Sequence, residues 1–207
     1  VPHHADFAQS AFSVEFWAKL DDATTNEWST PVAKSTSNQW DDGWGFYDRQ
    51  STGQFTFWVD TYDAHPTPAA SARYIRIARP APGSYHHYVG TFDGTTMALY
   101  VDGALAGSTS AVPLTTPSVV PLLIGYGGFA QSGWPGAVDE AAYYNYALTA
   151  DQVLRHYETQ RQMYRAAVLQ DFPLAYWPLD EQGPYGNDFT LYNAQMTVQR
   201  KKHQPKG

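Results

Sequence analysis

Two Asp-Gly dipeptides, Asp93-Gly94 and Asp102-Gly103, interrupt a stretch of alternating residues between Tyr85 and Gly107. Asp-Gly between alternating strands is the strongest short-range hairpin signal, because a type I′ turn needs positive φ at both central residues. Two such turns in succession predict a three-stranded antiparallel meander. Its middle strand turns Met97, Leu99 and Val101 toward a core, and Ala98 and Tyr100 the other way.

The segments around this meander have the same grain. Phe12, Val14, Phe16 and Ala18 alternate with polar or bulky neighbours, a period of two that marks a half-buried strand. Residues 43–47, 53–59, 71–78, 121–126 and 136–144 are further strand candidates, and Ile75 and Ile77 share one face of theirs. No helical pattern lies between strands before residue 149, which disfavours a parallel α/β fold. Many short, turn-separated strands indicate a sandwich or barrel. The helix signal comes late. Thr149 to Gln152 fits a capping box with Thr149 as N-cap, predicting a helix over 150–158. Val153, Tyr157, Tyr164 and Val168 continue the spacing toward residue 169, and Pro173 ends it. Residues 174–180 and 189–192 read as two more strands, and 200–206 as a basic polar tail.

Composition narrows the function classes. The chain has 207 residues, 43% hydrophobic, 15% aromatic and 16% charged, which is enough for a core and unlike a disordered segment. Zero cysteines exclude disulfides, cysteine-bound zinc and thiol catalysis. A net charge of −7 argues against a nucleic-acid partner. No apolar run approaches the roughly 20 residues that membrane insertion needs. The charge is uneven, net −9 over 1–160 and net +2 over 161–207, so the last stretch is a different kind of segment. The opening Val1-Pro2-His3, without methionine or signal peptide, suggests processing or excision from something longer.

FSVEFWAK (12–19), YHHYVGTFDGTTMALYVDGALAG (85–107), PLLIGYG (121–127) and GAVDEAAYYNYALTADQVLRHY (136–157) together resemble the laminin G-like, pentraxin-type domains of the concanavalin A-like lectin/glucanase superfamily. The resemblance covers roughly residues 1–158. It implies an all-β jelly-roll sandwich of two antiparallel sheets with a short C-terminal helix. The expected organisation is a domain over 1–158, a helical linker over 159–172, two strands over 173–198 and a basic tail over 199–207. AYWPLDE (175–181) and GNDFTLYNA (186–194) resemble the opening of another such repeat, an opening that the first domain lacks. Three fates follow for this segment: the truncated start of a next repeat, a fold-back that completes its own domain, or insertion into a neighbouring copy. An unpaired strand bearing Tyr176, Trp177, Leu179, Phe189 and Leu191 would be an aggregation hazard, which favours the paired arrangements.

Catalysis is not expected. Glucanases of the superfamily carry alternating carboxylates on one strand face, and no E-x-D-x-E run occurs here. The acidic pairs, such as Asp139-Glu140, are adjacent, and adjacent strand residues point to opposite faces. No G-x-S-x-G elbow is present. His86-His87 falls where the family has a histidine pair at a strand start and reads as structural. The resemblance implies a structural Ca²⁺, for which Asp139 and Asp180 are the candidate ligands, with Asp188 or Glu140 behind them. If Asp180 is a ligand, its segment must pack near Asp139. Sugar recognition uses aromatic platforms with planar polar groups. Trp40, Asp41 and Asp42, then Asp60 and Tyr62, then Tyr126 and Trp134, have that composition on loops, whereas Trp17, Trp58 and Trp177 sit within strands. The expected function is a non-catalytic recognition or adhesion module on an extracellular, cell-surface or virion protein, binding a glycan or glycosylated surface. The alternative is a structural virion or fibre subunit joined to copies of itself, or to a larger assembly, by strand exchange. An accessory module of a secreted glycoside hydrolase is a third reading.

Overall fold

The computed structural model describes residues 1–7, 9–21, 26–36, 42–60, 73–110, 118–128, 132–159, 161–177 and 179. Twelve strands form among them: β1 (Phe12–Leu20), β2 (Trp28–Ser29), β3 (Val32–Lys34), β4 (Trp44–Arg49), β5 (Gln54–Val59), β6 (Arg73–Ala78), β7 (Tyr85–Phe92), β8 (Thr96–Val101), β9 (Ala104–Ser110), β10 (Leu123–Ile124), β11 (Gly136–Tyr144) and β12 (Ala175–Trp177). Two helices, α1 (Ala150–Glu158) and α2 (Arg161–Gln170), separate the last two strands. The strands make two six-stranded antiparallel sheets. The first runs β12-β11-β1-β7-β8-β9; the second runs β10-β3-β4-β5-β6, with β2 paired to β4.

Alternation decides what lies between the sheets. Phe12, Val14, Phe16 and Ala18 of β1 face inward and are buried, as are Met97 and Leu99 of β8 and Ile75 of β6. Aromatic rings fill the middle: Phe16 meets Phe46 edge-on at 5.0 Å, and Phe55 lies 4.4 Å from Tyr88. The fit is close at Gly90, where a Cβ would come within 2.6 Å of Phe46 and 2.8 Å of Phe57. The second Asp-Gly pair forms the expected two-residue turn, with Asp102 and Gly103 both at positive φ and Val101 opposite Ala104. The first differs. Phe92 pairs with Met97, so the loop holds four residues, and only Gly94 has positive φ. There the Asp93 carboxylate accepts from the amides of Thr95 (2.8 Å) and Thr96 (2.7 Å), replacing the backbone geometry of a type I′ turn.

The opposite face of the first sheet carries a third layer. Val89, Ala142, Tyr144 and Tyr176 pack there against Leu148, Val153, Tyr164 and Val168, a cluster separate from the main core. The Thr149 capping box starts α1. β12 lies antiparallel on β11, with Trp177 opposite Ala141 and Ala175 opposite Tyr143, and forms the edge of the sheet. Phe7 approaches both, 5.2 Å from Tyr143 and 6.4 Å from Trp177. Residues 189–192 and the basic tail lie outside the described residues.

Candidate functional site

The loop candidates divide between the two ends of the sandwich. β3 ends, β4 begins, β5 ends and β6 begins at one end, as their antiparallel registers require. Asp42 and Asp60 sit there, both buried. Asp42 accepts from the Ser35 hydroxyl (2.9 Å) and the Thr36 amide (2.7 Å), and the Asp60 amide donates to the Gly43 carbonyl (2.8 Å). These bonds join Ser35 and Thr36 to Asp42, and Gly43 to Asp60. Trp40, Asp41 and Tyr62 lie outside the described residues. Lys34 gathers the same end: its buried ammonium donates to the carbonyls of Ser118 and Val120, each at 2.7 Å, and lies 3.0 Å from His3 Nδ1. Burial pulls its pKa down to about 8, against the pull of the Asp42 charge.

Tyr126 and Trp134 are at the other end, because β10 runs antiparallel to β3. Tyr126 is 44% exposed. Trp134, expected on an exposed loop, is 9% exposed; it meets Phe55 edge-on and donates to the Lys19 carbonyl at 3.0 Å. Its indole face is turned to the core, since a tryptophan at this strand entry closes the open end between the sheets.

The acidic pair on β11 breaks the alternation rule. The pairing with β1 shifts register between Glu15 and Trp17, and Glu140 adopts φ 53, so a β-bulge sits at this point. Asp139 and Glu140 consequently line one cavity of about 180 Å³, walled by Trp17, Tyr85, Thr159 and Tyr164. Adjacent position in sequence therefore does not place them on opposite faces. Asp139 accepts from the Glu140 amide at 3.0 Å, and Glu140 accepts from the Tyr176 hydroxyl. The register of β12 points the chain after Trp177 toward Asp139, and Asp180 itself lies outside the described residues. Among the described residues, no group of three or more His, Asp or Glu side chains is placed to hold a metal.

A second polar constellation, not singled out from the sequence, lies beneath the helices. Glu15 projects from β1 away from the main core and is fully buried, as are His87 and His156. Glu15 accepts from the Tyr164 hydroxyl and from Tyr144 (3.4 Å). His156 Nδ1 lies 2.9 Å from it, and His87 Nε2 3.6 Å. Burial works to raise the Glu15 pKa, but the hydrogen bonds and charges of His156 and His87 outweigh it and hold the carboxyl well below its usual range. Burial, reinforced by the Glu15 charge, pushes the Tyr144 and Tyr164 phenols far up, so both remain donors. His86 is a separate structural pair, its Nδ1 2.7 Å from Asp102, whose other oxygen accepts from the His87 amide at 2.9 Å.

No match was found among curated protein sequences. Among solved structures, the native heptameric SAP-like pentraxin of Limulus polyphemus superposes with a TM-score of 0.52 at 22% identity, over 70% of this chain and 69% of that one. Domain 4 of an extracellular GH43 arabinanase from Geobacillus stearothermophilus, in complex with arabinotriose, gives 0.55 at 17% identity, over 75% and 69%. The CBM40 of a Ruminococcus gnavus IT-sialidase, bound to α2,3-sialyllactose, gives 0.56 at 12% identity, over 73% and 84%. At these identities the likeness establishes the fold. A laminin G-type family model, described as concanavalin A-like lectin/glucanases superfamily, matches residues 1–154. This chain belongs to the concanavalin A-like lectin/glucanases superfamily.

Proposed function

We propose that the chain is a non-catalytic recognition module that binds a glycan or glycosylated surface, as part of an extracellular, cell-surface or virion protein. The observation that carries this reading is the bonded cluster of Asp42, Gly43 and Asp60 at one end of the sandwich. Asp42 is bonded to Ser35 and Thr36 and the Asp60 amide to the Gly43 carbonyl, and in sequence Trp40 and Asp41 directly precede Asp42 and Tyr62 follows Asp60 by two residues. That set supplies an aromatic platform and planar acceptors for hydroxyls. Two solved neighbours of the same fold carry arabinotriose and sialyllactose.

The buried carboxylates support binding over hydrolysis. Glycoside cleavage needs two carboxyl groups open to the substrate from opposite sides of the bond. Glu15 is sealed under α1 and α2. Asp139 and Glu140 are occupied in holding the bulge and β12. Asp139 is also our candidate ligand for a structural Ca²⁺, with Asp180 completing it. Because β12 lies on β11 of its own chain, this reading needs no strand from a neighbouring copy.

The test is a glycan array probed with the native chain, Trp40→Ala and Tyr126→Ala. Binding that falls about tenfold or more on Trp40→Ala, the loss expected of one stacking contact, and is kept by Tyr126→Ala supports the assignment. Absence of any glycan binding, or loss only with Tyr126→Ala, overturns it.

A further inference from the structure

Each ring nitrogen of His156 faces a different carboxylate. Nδ1 lies 2.9 Å from Glu15 Oε2, and Nε2 lies 2.8 Å from Asp171 Oδ2. The ring is fully buried, stacked on Tyr144 at 6.3 Å and edge-on to Tyr164 at 6.4 Å. A neutral imidazole has one N–H and one lone pair, so it can donate to one carboxylate and must aim its lone pair at the other. Only the imidazolium satisfies both, through two charge-assisted bonds.

The surroundings fit a cation at this point. From β1 comes Glu15, and from β7 His87, whose Nδ1 finds no hydrogen-bond partner among the described residues. From β11 comes the Tyr144 hydroxyl, which donates to Glu15, and from α2 the Tyr164 hydroxyl, which does the same. Arg155, one residue before His156 on α1, pairs with Asp171, and the Tyr146 hydroxyl donates to the Asp171 carbonyl. On β12, Tyr176 is engaged with Glu140. Asp171 therefore receives both Arg155 and His156, and Glu15 receives His156 with two phenols.

We propose that His156 is a pH-operated latch that fastens the layer of α1 and α2 to the first sheet. Charged, it bolts a carboxylate of the sheet to one that follows α2. Uncharged, it releases one of them and leaves a lone pair facing a buried carboxylate. The loosening is local because the helices pack through their own cluster of Leu148, Val153, Tyr164 and Val168, separate from the core between the sheets, to which Ala175 and Trp177 of β12 belong.

The direction follows from linkage. Burial opposes the charge on His156, but the hydrogen bonds and charges of Glu15 and Asp171 prevail, and its pKa is raised. The latch is fully engaged below the unfolded value of about 6.5 and is lost as pH rises through the higher folded value.

Residue-resolved amide exchange on the full chain, corrected for intrinsic rates, tests this between pH 5.5 and 9. Protection of α1 and α2 is expected to fall at least tenfold across the titration while that of β4 and β5 holds. Imidazole ¹⁵N shifts should show both His156 nitrogens protonated at the acid end. His156→Gln should abolish the pH dependence. Asp171→Asn, which keeps the Glu15 contact, should move the midpoint to lower pH and covers the case where His156→Gln does not fold. A singly protonated His156 at pH 5.5, uniform or pH-independent protection, or an unmoved midpoint in Asp171→Asn overturns the proposal.

Discussion

Trp177→Ala probes whether β12 is an integral part of this sandwich. Trp177 is 7% exposed, lies opposite Ala141 and packs against Phe7. A buried aromatic of this size removes roughly 150–250 Å² from water, about 4–6 kcal/mol at about 25 cal/mol/Å² as an upper bound. Truncations of buried tryptophan cost about 3–5 kcal/mol. The expected loss is therefore about 3–5 kcal/mol, or roughly 6–20 °C in Tm for a chain of this size. Phe172→Ala is the internal control: Phe172 belongs to the same segment but is 82% exposed, so its change should stay within about 0.5 kcal/mol. Urea unfolding followed by far-UV circular dichroism measures both, with the m-value expected to hold. If Trp177→Ala costs less than about 1 kcal/mol, or no more than Phe172→Ala, β12 does not complete this fold and the reasoning fails.

Two further outcomes are expected. Gly90→Ala should destabilise by about 1–3 kcal/mol or more, because the new methyl meets Phe46 and Phe57 from the facing sheet; a neutral result in the same urea assay would contradict the close approach. If Ca²⁺ binds at Asp139, excess EDTA should lower the melting temperature, by the equivalent of about 2.7 kcal/mol for calcium at a hundred times its Kd. An identical melt with and without EDTA, or an EDTA effect that survives Asp139→Asn, removes calcium from that position.

The sheets were legible where alternation ran long. Residues 12–20 and 85–110 announce their faces over several periods, and the capping box at Thr149 marks α1. β2 and β3 were not legible, since two or three residues hold too little of a period-two pattern to stand out. Alternation puts Asp139 and Glu140 on opposite faces, but a bulge suspends that alternation at this point. Trp134 was taken for a loop residue from its glycine-rich neighbours, although the sheet entry folds its indole inward. The Glu15 constellation had no local signal at all. Glu15 and His156 are 141 positions apart, and only the docking of α1 on β1 brings them into contact. A carboxylate at an outward position of β1, in line with Ser13 and Lys19, reads equally well as a solvated side chain.

The two hairpin turns of the meander differ in what they tolerate. Gly103 lies directly beneath Tyr157 of α1, where a Cβ would come within 2.9 Å of the ring, and Asp102 is engaged with His86 and His87. Among the described residues the turn at 93–96 touches little: Gly94 meets only the Ser10 carbonyl, at 3.3 Å from an added Cβ, and the bonds of Asp93 stay within the loop. A peptide tag, an epitope or a fluorescent label grafted between Gly94 and Thr95 should therefore leave the helices seated, whereas the same graft at 102–103 would lift α1 from the sheet. In a protein meant to be displayed or immobilised, residue 94 is the attachment point that lies at the same end as Asp42 and Asp60, and residue 103 the one to leave alone.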